Sequence, residues 1–164
     1  KGSVFSFSLL LDIASKDSIT DKTIDTGANA LAHGVTPPIR VLMAEDNRIN
    51  AEFAKEMLEK LKCDVTVVRN GRDAHETLQK NRDFHLIFMD CQMPIMDGFE
   101  ATKNVREDET KNKHNHIPIV ALTANAMKGD REKCIKAGMD DYLSKPVRQK
   151  DFAGMIRKWL GDSK

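Results

Sequence analysis

The chain has 164 residues, with 26 Lys and Arg against 25 Asp and Glu, and its formal net charge is +1. This length suits one compact domain with a tail, and 40% hydrophobic with 31% charged residues is typical of a packed core under a charged surface. The balanced charge argues against a protein whose main role is to coat nucleic acid or an anionic membrane. No apolar run approaches the ~20 residues that span a bilayer. The three cysteines are far apart and fit neither a disulfide framework nor paired metal-ligand spacing, which indicates a reducing compartment.

The first 38 residues differ from the rest of the chain. Residues 2–11 alternate phenylalanine and leucine with serine, the period of two that predicts a half-buried strand. A signal peptide is the alternative interpretation, but Asp12 follows directly and no small-residue cleavage motif is present. Residues 12–38 are polar and end in Thr-Pro-Pro, which indicates a linker. Because the chain begins with Lys1, we expect it to be a piece of a longer protein.

From residue 39 onward, short apolar runs alternate with helical patterns. The predicted strands cover residues 39–44, 64–68, 85–90, 117–122 and 141–144. The predicted helices cover residues 49–61, 72–80, 98–106, 128–137 and 149–160, with a polar loop over 107–116. Strands without polar alternation, separated by helices, favour a parallel sheet covered on both faces. Five such units predict an α/β fold, a flavodoxin-like, doubly wound (βα)5 sheet with strand order 2-1-3-4-5.

Polar residues stand at the ends of four predicted strands. Glu45 and Asp46 follow the first strand, Asp90 ends the third, Thr123 follows the fourth and Lys145 follows the fifth. The carboxyl ends of parallel strands meet at one edge of a sheet, so we expect these groups to converge. Each alone has an ordinary explanation, such as a helix cap or a surface charge. Together, however, the three carboxylates repel one another unless cations compensate.

The chemistry of this set favours a magnesium ion. All candidate ligands are oxygens, and Mg²⁺ is typically held by one or two carboxylates, waters and phosphate oxygens. A carboxylate beside Mg²⁺, an ammonium and a hydroxyl is suited to accept a phosphoryl group, because these partners neutralise and bind the transferred oxygens. The residues therefore predict Mg²⁺-dependent phosphoryl transfer.

Four motifs within residues 39–160 resemble the receiver domain of two-component phosphorelays. They are Glu45-Asp46-Asn47, the stretch MDCQMPIMDG at 89–98, Ala121-Leu122-Thr123-Ala124 and Lys145-Pro146. Their order, spacing and position at strand ends all agree with that family.

The resemblance implies roles for individual residues. Asp90 is implied as the phosphoacceptor, with Thr123 and Lys145 binding the phosphoryl oxygens. The implied Mg²⁺ ligands are Glu45, Asp46, Asp90 and the main-chain carbonyl of Gln92. Tyr142 matches a switching aromatic that turns inward when Thr123 moves towards the phosphoryl group, although a half-buried strand tyrosine is the alternative. The Lys145-Pro146 peptide is expected to be cis.

The N-terminal segment has a resemblance of its own. The sequence KGSVFSFSL looks like the last strand of a histidine-kinase ATP-binding domain. We therefore expect residues 1–11 to be a remnant of that domain, 12–38 a linker, 39–160 a receiver and 161–164 a tail. This organisation resembles the C-terminal receiver of a hybrid sensor histidine kinase. Since the kinase's histidine helix and ATP-binding motifs are not recognised in this sequence, the segment is expected to accept phosphate rather than use ATP, and its status as an enzyme stays open.

The resemblance also implies partners. The donor would be the kinase dimerisation and phosphotransfer domain, and the acceptor a histidine phosphotransfer protein that meets the first helix near Asn50 and Ala54. A cytoplasmic location is expected, within a parent that is a candidate membrane-anchored sensor. Neither nucleic acid nor membrane contact by this segment is expected, and a dimer is left open. The alternatives are a non-phosphorylated docking module and a haloacid-dehalogenase-like phosphatase, whose D-x-D-x-[TV] motif is not met by residues 45–48.

Overall fold

A computed structural model describes residues 38–124 and 128–161. The predicted N-terminal remnant and nearly all of the linker lie outside these residues. The strands are β1 (Ile39–Ala44), β2 (Cys63–Val68), β3 (Leu86–Asp90), β4 (Ile119–Thr123) and β5 (Asp141–Ser144). The helices are α1 (Arg48–Lys60), α2 (Gly71–Lys80), α3 (Gly98–Asn112), α4 (Lys128–Ala137) and α5 (Gln149–Leu160). Among the described residues, no helix is both long enough and apolar enough to cross a bilayer.

The five strands form one parallel sheet in the order β2-β1-β3-β4-β5. This confirms the predicted fold class and strand order. β3 and β4 are buried along their whole length, as expected for central strands covered on both faces. Asp90 is paired with Leu122, and Thr123 with Ser144, so the carboxyl ends of the central strands are level. This register brings the polar residues that end these strands to one edge of the sheet.

Two apolar cores lie on opposite faces of the sheet. Neighbouring residues of β1 point to different cores, because successive side chains of a strand alternate between faces. Leu42 joins the core covered by α2, α3 and α4, whereas Met43 joins the core covered by α1 and α5. In the second core, the rings of Phe88 and Phe152 pack edge to face with centroids 4.8 Å apart. Three of these helices therefore cover one face of the sheet, and two cover the other.

The largest difference from the predicted elements is in α3. Residues 107–112 were predicted as part of a polar loop, and this prediction is wrong because they continue the helix to Asn112. The reason is tertiary: Glu109 is only 7% exposed and accepts hydrogen bonds from Arg82 and Arg106. The helix then ends at Lys113, which adopts a left-handed conformation with φ of 54°. The predicted bounds of β2, β3 and β4 are off by one or two residues.

Candidate phosphoacceptor site

Asp90 lies at the carboxyl end of the buried strand β3 and is itself only 6% exposed. Its carboxylate is oriented by the main-chain N–H of Gln92, which donates to Oδ1 at 3.1 Å. Gly98, the first residue of α3, packs directly against this position. A Cβ atom there would lie 2.1 Å from the Asp90 carbonyl oxygen, so only glycine permits this close approach. The chain that follows Asp90 therefore folds back against this residue before α3 begins.

Lys145 supplies the cation of the site. Its ammonium donates to Asp90 Oδ2 and to Glu45 Oε2, each at 2.6 Å. Its main-chain N–H donates to the carbonyl of Thr123 at 2.7 Å, which ties the end of β5 to the end of β4. The Lys145-Pro146 peptide is cis, as predicted. One side chain thus links three strand ends, in β1, β3 and β5.

Three carboxylates meet at this point. One oxygen from each of Glu45, Asp46 and Asp90 lies within 4.8 Å of the others. Glu45 and Asp90 are buried, whereas Asp46 is exposed. Asn47, and not Asp46, caps α1, since its side chain accepts the main-chain N–H groups of Ile49 and Asn50. The Asp46 carboxylate is therefore not used by the helix, and the cluster fits a hard cation that prefers oxygen ligands.

The electrostatics of the cluster follow from burial and crowding. Burial raises the pKa of Asp90, the hydrogen bond from Lys145 opposes this rise, and the charge of Glu45 adds to it. Burial on its own would lower the pKa of Lys145, but hydrogen bonds to Asp90 and Glu45 outweigh burial and raise it. The lysine therefore stays charged, while the carboxylates exceed it in number. A second cation would relieve this excess.

A cavity of about 330 Å³ opens above these groups. Thr123 lines it and is 6% exposed, and Gln92 lines it from the loop after β3. The cavity thus brings together six of the seven predicted site residues, which are Glu45, Asp46, Asp90, Gln92, Thr123 and Lys145. Nothing in the structure tests whether the Gln92 carbonyl is a ligand, so that role stays a prediction.

Tyr142 is the seventh predicted residue and does not line this cavity. It is partly buried in β5, packs against the core under α2, α3 and α4, and lines a separate hollow of about 520 Å³ beside α5. Its pairing partner across the sheet is Ala121, two residues before Thr123. This position is compatible with the switching role and with the alternative of an ordinary strand tyrosine, so both stay open.

Three further residues line the cavity without having been predicted there, namely Asn50, which was expected only as a partner contact, Phe99 and Lys133. Asn50 donates from Nδ2 to Glu45 Oε1 at 3.1 Å, so both oxygens of Glu45 are held when Lys145 is included. Asn50 follows Glu45 by five residues on the first turn of α1, and this spacing alone was the available signal. Phe99 and Lys133 reach the cavity through the packing of α3 and α4, which no local pattern reveals.

Cys91 adjoins Asp90 but is not a candidate nucleophile. Its Sγ lies 3.9 Å from Sγ of Cys134 on α4, and both thiols are buried. Burial strongly raises the pKa of Cys91, and Cys134 adds to this rise. A thiol in such surroundings stays protonated at neutral pH and is chemically inert.

Residues 41–157 match the model of the response regulator receiver domain. The chain belongs to this receiver family. The haloacid-dehalogenase alternative is therefore wrong, because the acidic residues after β1 and the aspartate after β3 are those of the receiver pattern.

Several relatives of this receiver are parts of hybrid kinases. A 117-residue stretch is 46% identical to hybrid signal transduction histidine kinase I of Dictyostelium discoideum and covers 69% of this chain. It spans only 7% of the length of that kinase. This similarity confirms the predicted resemblance to receivers of hybrid histidine kinases.

Two solved structures share the fold. The receiver domain of sensor histidine kinase PA1611 from Pseudomonas aeruginosa PAO1, with a magnesium ion in its active-site cleft, is 38% identical with a TM-score of 0.68. The match covers 77% of this chain and 100% of that one. The Saccharomyces cerevisiae Ssk1 receiver, solved with the histidine phosphotransfer protein Ypd1, is 36% identical with a TM-score of 0.71, covering 78% and 92%.

Proposed function

We propose that this receiver accepts a phosphoryl group from a phosphohistidine onto Asp90 and relays it to a histidine phosphotransfer partner. The observation that carries the proposal is the buried Asp90 carboxylate, 2.6 Å from the Lys145 ammonium and clustered with Glu45 and Asp46. A buried aspartate paired with a single lysine has no need of two further carboxylates for stability. Their presence is explained by a metal and a transferred phosphoryl group.

The proposed step is an in-line displacement at phosphorus. A carboxylate oxygen of Asp90 forms the new O–P bond while the P–N bond to the donor imidazole breaks, and the imidazole nitrogen keeps the electron pair. Lys145 donates to a phosphoryl oxygen, which needs little movement because its ammonium already lies 2.6 Å from Asp90 Oδ2. Thr123 lines the same cavity, and its hydroxyl would donate to a second oxygen. Such transfer depends almost entirely on position and charge.

We assign Mg²⁺ as the cofactor of this receiver. Glu45, Asp46 and Asp90 would hold it, with the main-chain carbonyl of Gln92 as a further ligand. When bound, the metal neutralises charge on the transferred oxygens. The cluster supports this assignment, because its donors are all oxygens and three carboxylates converge within 4.8 Å. The magnesium ion in the cleft of the PA1611 receiver is consistent with it.

Replacement of the phosphoacceptor gives the largest predicted loss. Asp90→Asn removes the attacking oxygen charge but keeps the size of the side chain, so labelling by radioactive acetyl phosphate with Mg²⁺ should fall by more than about 100-fold. Asp64→Asn, at an exposed position of β2, is the matched control and should label like the parent chain. Chelation of Mg²⁺ by EDTA should abolish labelling of the parent. Equal labelling of Asp90→Asn and the parent would reject the assignment, and no labelling of either would favour the docking-module alternative.

We further propose that the partner docks on a surface formed by Ile49 and Phe53 on α1 and Ile95 after β3, here called the apolar rim. These side chains are 67%, 61% and 66% exposed, although they are large and apolar. Ile49 and Phe53 line one surface hollow on α1, and exposed apolar side chains next to a reaction site are typical of protein-interaction surfaces. Asn50, expected as a contact, is exposed beside them, whereas Ala54 is 7% exposed and belongs mainly to the core. The Ypd1 complex of the Ssk1 receiver makes a histidine phosphotransfer protein a suitable class of partner.

The apolar rim predicts a specific transfer defect. Phe53→Ser should weaken complex formation with Ypd1, used as a probe, by about tenfold, because a central aromatic contact is typically worth more than 1 kcal/mol. Ile135→Ser, at an exposed apolar position of α4, is the matched control and should have little effect. Labelling of Asp90 by acetyl phosphate should be unchanged in both variants. Equal weakening by the two variants would contradict the proposed location.

Other expectations from the resemblance stay part of the proposal. We assign the chain to the receiver region of a hybrid histidine kinase, with a kinase phosphotransfer domain as donor and a cytoplasmic location. Phosphorylation of Asp90 draws Thr123 inward, and Tyr142 follows because the two strands are paired. The face that responds is formed by α4, β5 and α5. Dimerisation through it would be a consequence of the switch.

A further inference from the structure

We propose that Lys133 is a second cation for the phosphoryl group on Asp90 and couples the charge in the cavity to helix α4. Lys133 lies on α4 and lines the same cavity as Asp90 and Thr123. It is exposed, and its long, flexible stem allows the ammonium to approach a phosphoryl group from the mouth of the cavity. This inference rests on the proposed phosphorylation of Asp90 and adds a residue from an element that supplies none of the predicted site residues.

The packing of α4 fixes where Lys133 stands. The next residue, Cys134, is 1% exposed and places its Sγ 3.9 Å from Sγ of Cys91. Cys91 directly follows Asp90 in the chain. This buried contact holds the middle of α4 against the carboxyl end of β3, so the neighbouring Lys133 is presented at the cavity. Because Lys133 is part of α4, a force that displaces its side chain towards the cavity also acts on the helix.

The charge balance gives Lys133 its role. Glu45, Asp46 and Asp90 provide three negative charges, which Lys145 only partly offsets. Phosphorylation replaces the single charge of Asp90 by about two. A divalent cation and Lys145 then leave about one negative charge without a counterpart among these groups. The ammonium of Lys133 supplies that charge and favours the phosphorylated form.

The same ammonium opposes binding of the metal before phosphorylation. A positive charge at the mouth of the cavity repels Mg²⁺ and attracts a phosphoryl anion, so its removal has opposite effects on the two. Lys133→Gln should tighten Mg²⁺ about threefold in the absence of a phosphodonor and slow labelling by acetyl phosphate about threefold. Lys133→Glu reverses the charge, so the change in Mg²⁺ affinity and the change in labelling rate should each be roughly the square of the change in Lys133→Gln. A purely structural role would weaken both functions together.

The experiment measures these two quantities in parallel. Mg²⁺ affinity is obtained by NMR titration of the amide signals around the cavity, and labelling and its decay are followed with radioactive acetyl phosphate. Lys133→Arg keeps the charge and should behave like the parent. Lys136→Gln lies one turn further along the same helix, is exposed, and serves as the matched control.

The outcomes separate this proposal from the proposed function. If the parent chain labels and Lys133→Gln labels equally, or if Lys136→Gln and Lys133→Gln have equal effects, the Lys133 proposal is rejected and the function stands. It is also rejected if Lys133→Arg is as defective as Lys133→Gln, or if loss of the charge weakens Mg²⁺ binding. If the parent does not label at all, the proposed function fails, and the role of Lys133 fails with it.

Discussion

Two clusters of charged side chains lie at opposite edges of the sheet, and they are built in different ways. The acidic cavity at the carboxyl edge holds Glu45, Asp46, Asp90 and Lys145. A second cluster, here called the basal network, holds Arg82, Arg106, Glu109, His116 and Asp140. The basal network lies before the first residues of β3, β4 and β5, at the amino edge.

Every carboxylate oxygen of the basal network has a partner. Glu109 accepts from Arg82 at 2.8 Å, from Arg106 at 2.6 Å and from the main-chain N–H of Ile117 at 3.1 Å. Asp140 binds Arg106 through one oxygen and the imidazole of His116 through the other. Such a saturated network has no capacity for a further ligand, and its removal should affect folding alone.

The acidic cavity lacks this balance of charge, because it gathers three carboxylates and Lys145 pairs with two of them, Glu45 and Asp90. Crowded like charges are tolerated in a folded protein when they serve a ligand, and they cost stability while the ligand is away. The difference between the two clusters teaches that an imbalance of charge, and not burial of charge, distinguishes the functional edge from the structural one.

Glu109→Gln tests the basal network and should change the free energy of unfolding more than Asp90→Asn does. The change removes the carboxylate that pairs with Arg82 and Arg106, although Arg106 keeps its ion pair with Asp140. The free energy of unfolding should therefore fall by about 3 kcal/mol, as is usual when one partner of a buried ion pair is removed. Urea denaturation followed by fluorescence of Trp159, the single tryptophan of the chain, measures this. Labelling of Asp90 by acetyl phosphate should stay within about twofold of the parent.

The control for this variant is Glu107→Gln on the same helix. Glu107 pairs with Lys111 at the surface, where such pairs contribute at most about 0.5 kcal/mol. A similar loss of stability in both variants would mean that the basal network is not the support we describe. A large loss of labelling in Glu109→Gln would show that the basal network is also needed for phosphorylation and would contradict the distinction between the two clusters.

Asp90→Asn tests the acidic cavity and should raise the free energy of unfolding, which is the opposite of the effect expected for Glu109→Gln. Burial and Glu45 raise the pKa of Asp90, so the folded chain binds the proton more tightly than the unfolded chain. The stability gained from this proton is fully present below the usual aspartate pKa of about 3.9 and is lost as pH rises through the raised pKa. At neutral pH without Mg²⁺, the variant should therefore unfold at a higher urea concentration than the parent.

Urea denaturation of both chains at about pH 4 and at about pH 7 measures that difference at an acid and at a neutral pH. The gap should shrink towards the acid end, and Mg²⁺ should close it at pH 7 by stabilising the parent more than the variant. A variant that is less stable than the parent at neutral pH would show that the pairing of Asp90 with Lys145 outweighs the crowding of the carboxylates.

Much of the receiver was predictable because its signals are local. The apolar runs identified all five strands, their burial on both faces indicated a parallel sheet, and the strand order was that of the known doubly wound topology. The polar residues that follow those strands identified Asp90, Thr123 and Lys145, because a parallel sheet brings its carboxyl ends together. These inferences need only the succession of apolar runs and helical patterns along the chain, together with a known topology.

The basal network and the end of α3 were not predictable in this way. Residues 107–112 are polar and were predicted as a loop, but Glu109 is buried through contacts with Arg82, 27 residues earlier in the chain. His116 is likewise held by Asp140, 24 residues later. Pairing of polar side chains over such separations leaves no periodic pattern, so local sequence favours the wrong conformation.

The sequence by itself determined the class of fold and the residues at the strand ends, since periodicity and spacing encode them, and its motifs carried the resemblance to the receiver family. Only the tertiary structure decided which charges are balanced and which are in excess. It held both oxygens of Glu45 through Asn50 and Lys145, and it brought Lys133 to the cavity through the packing of Cys134 against Cys91. The physical reason is that electrostatic balance depends on distances between side chains, which are set by packing and not by order along the chain.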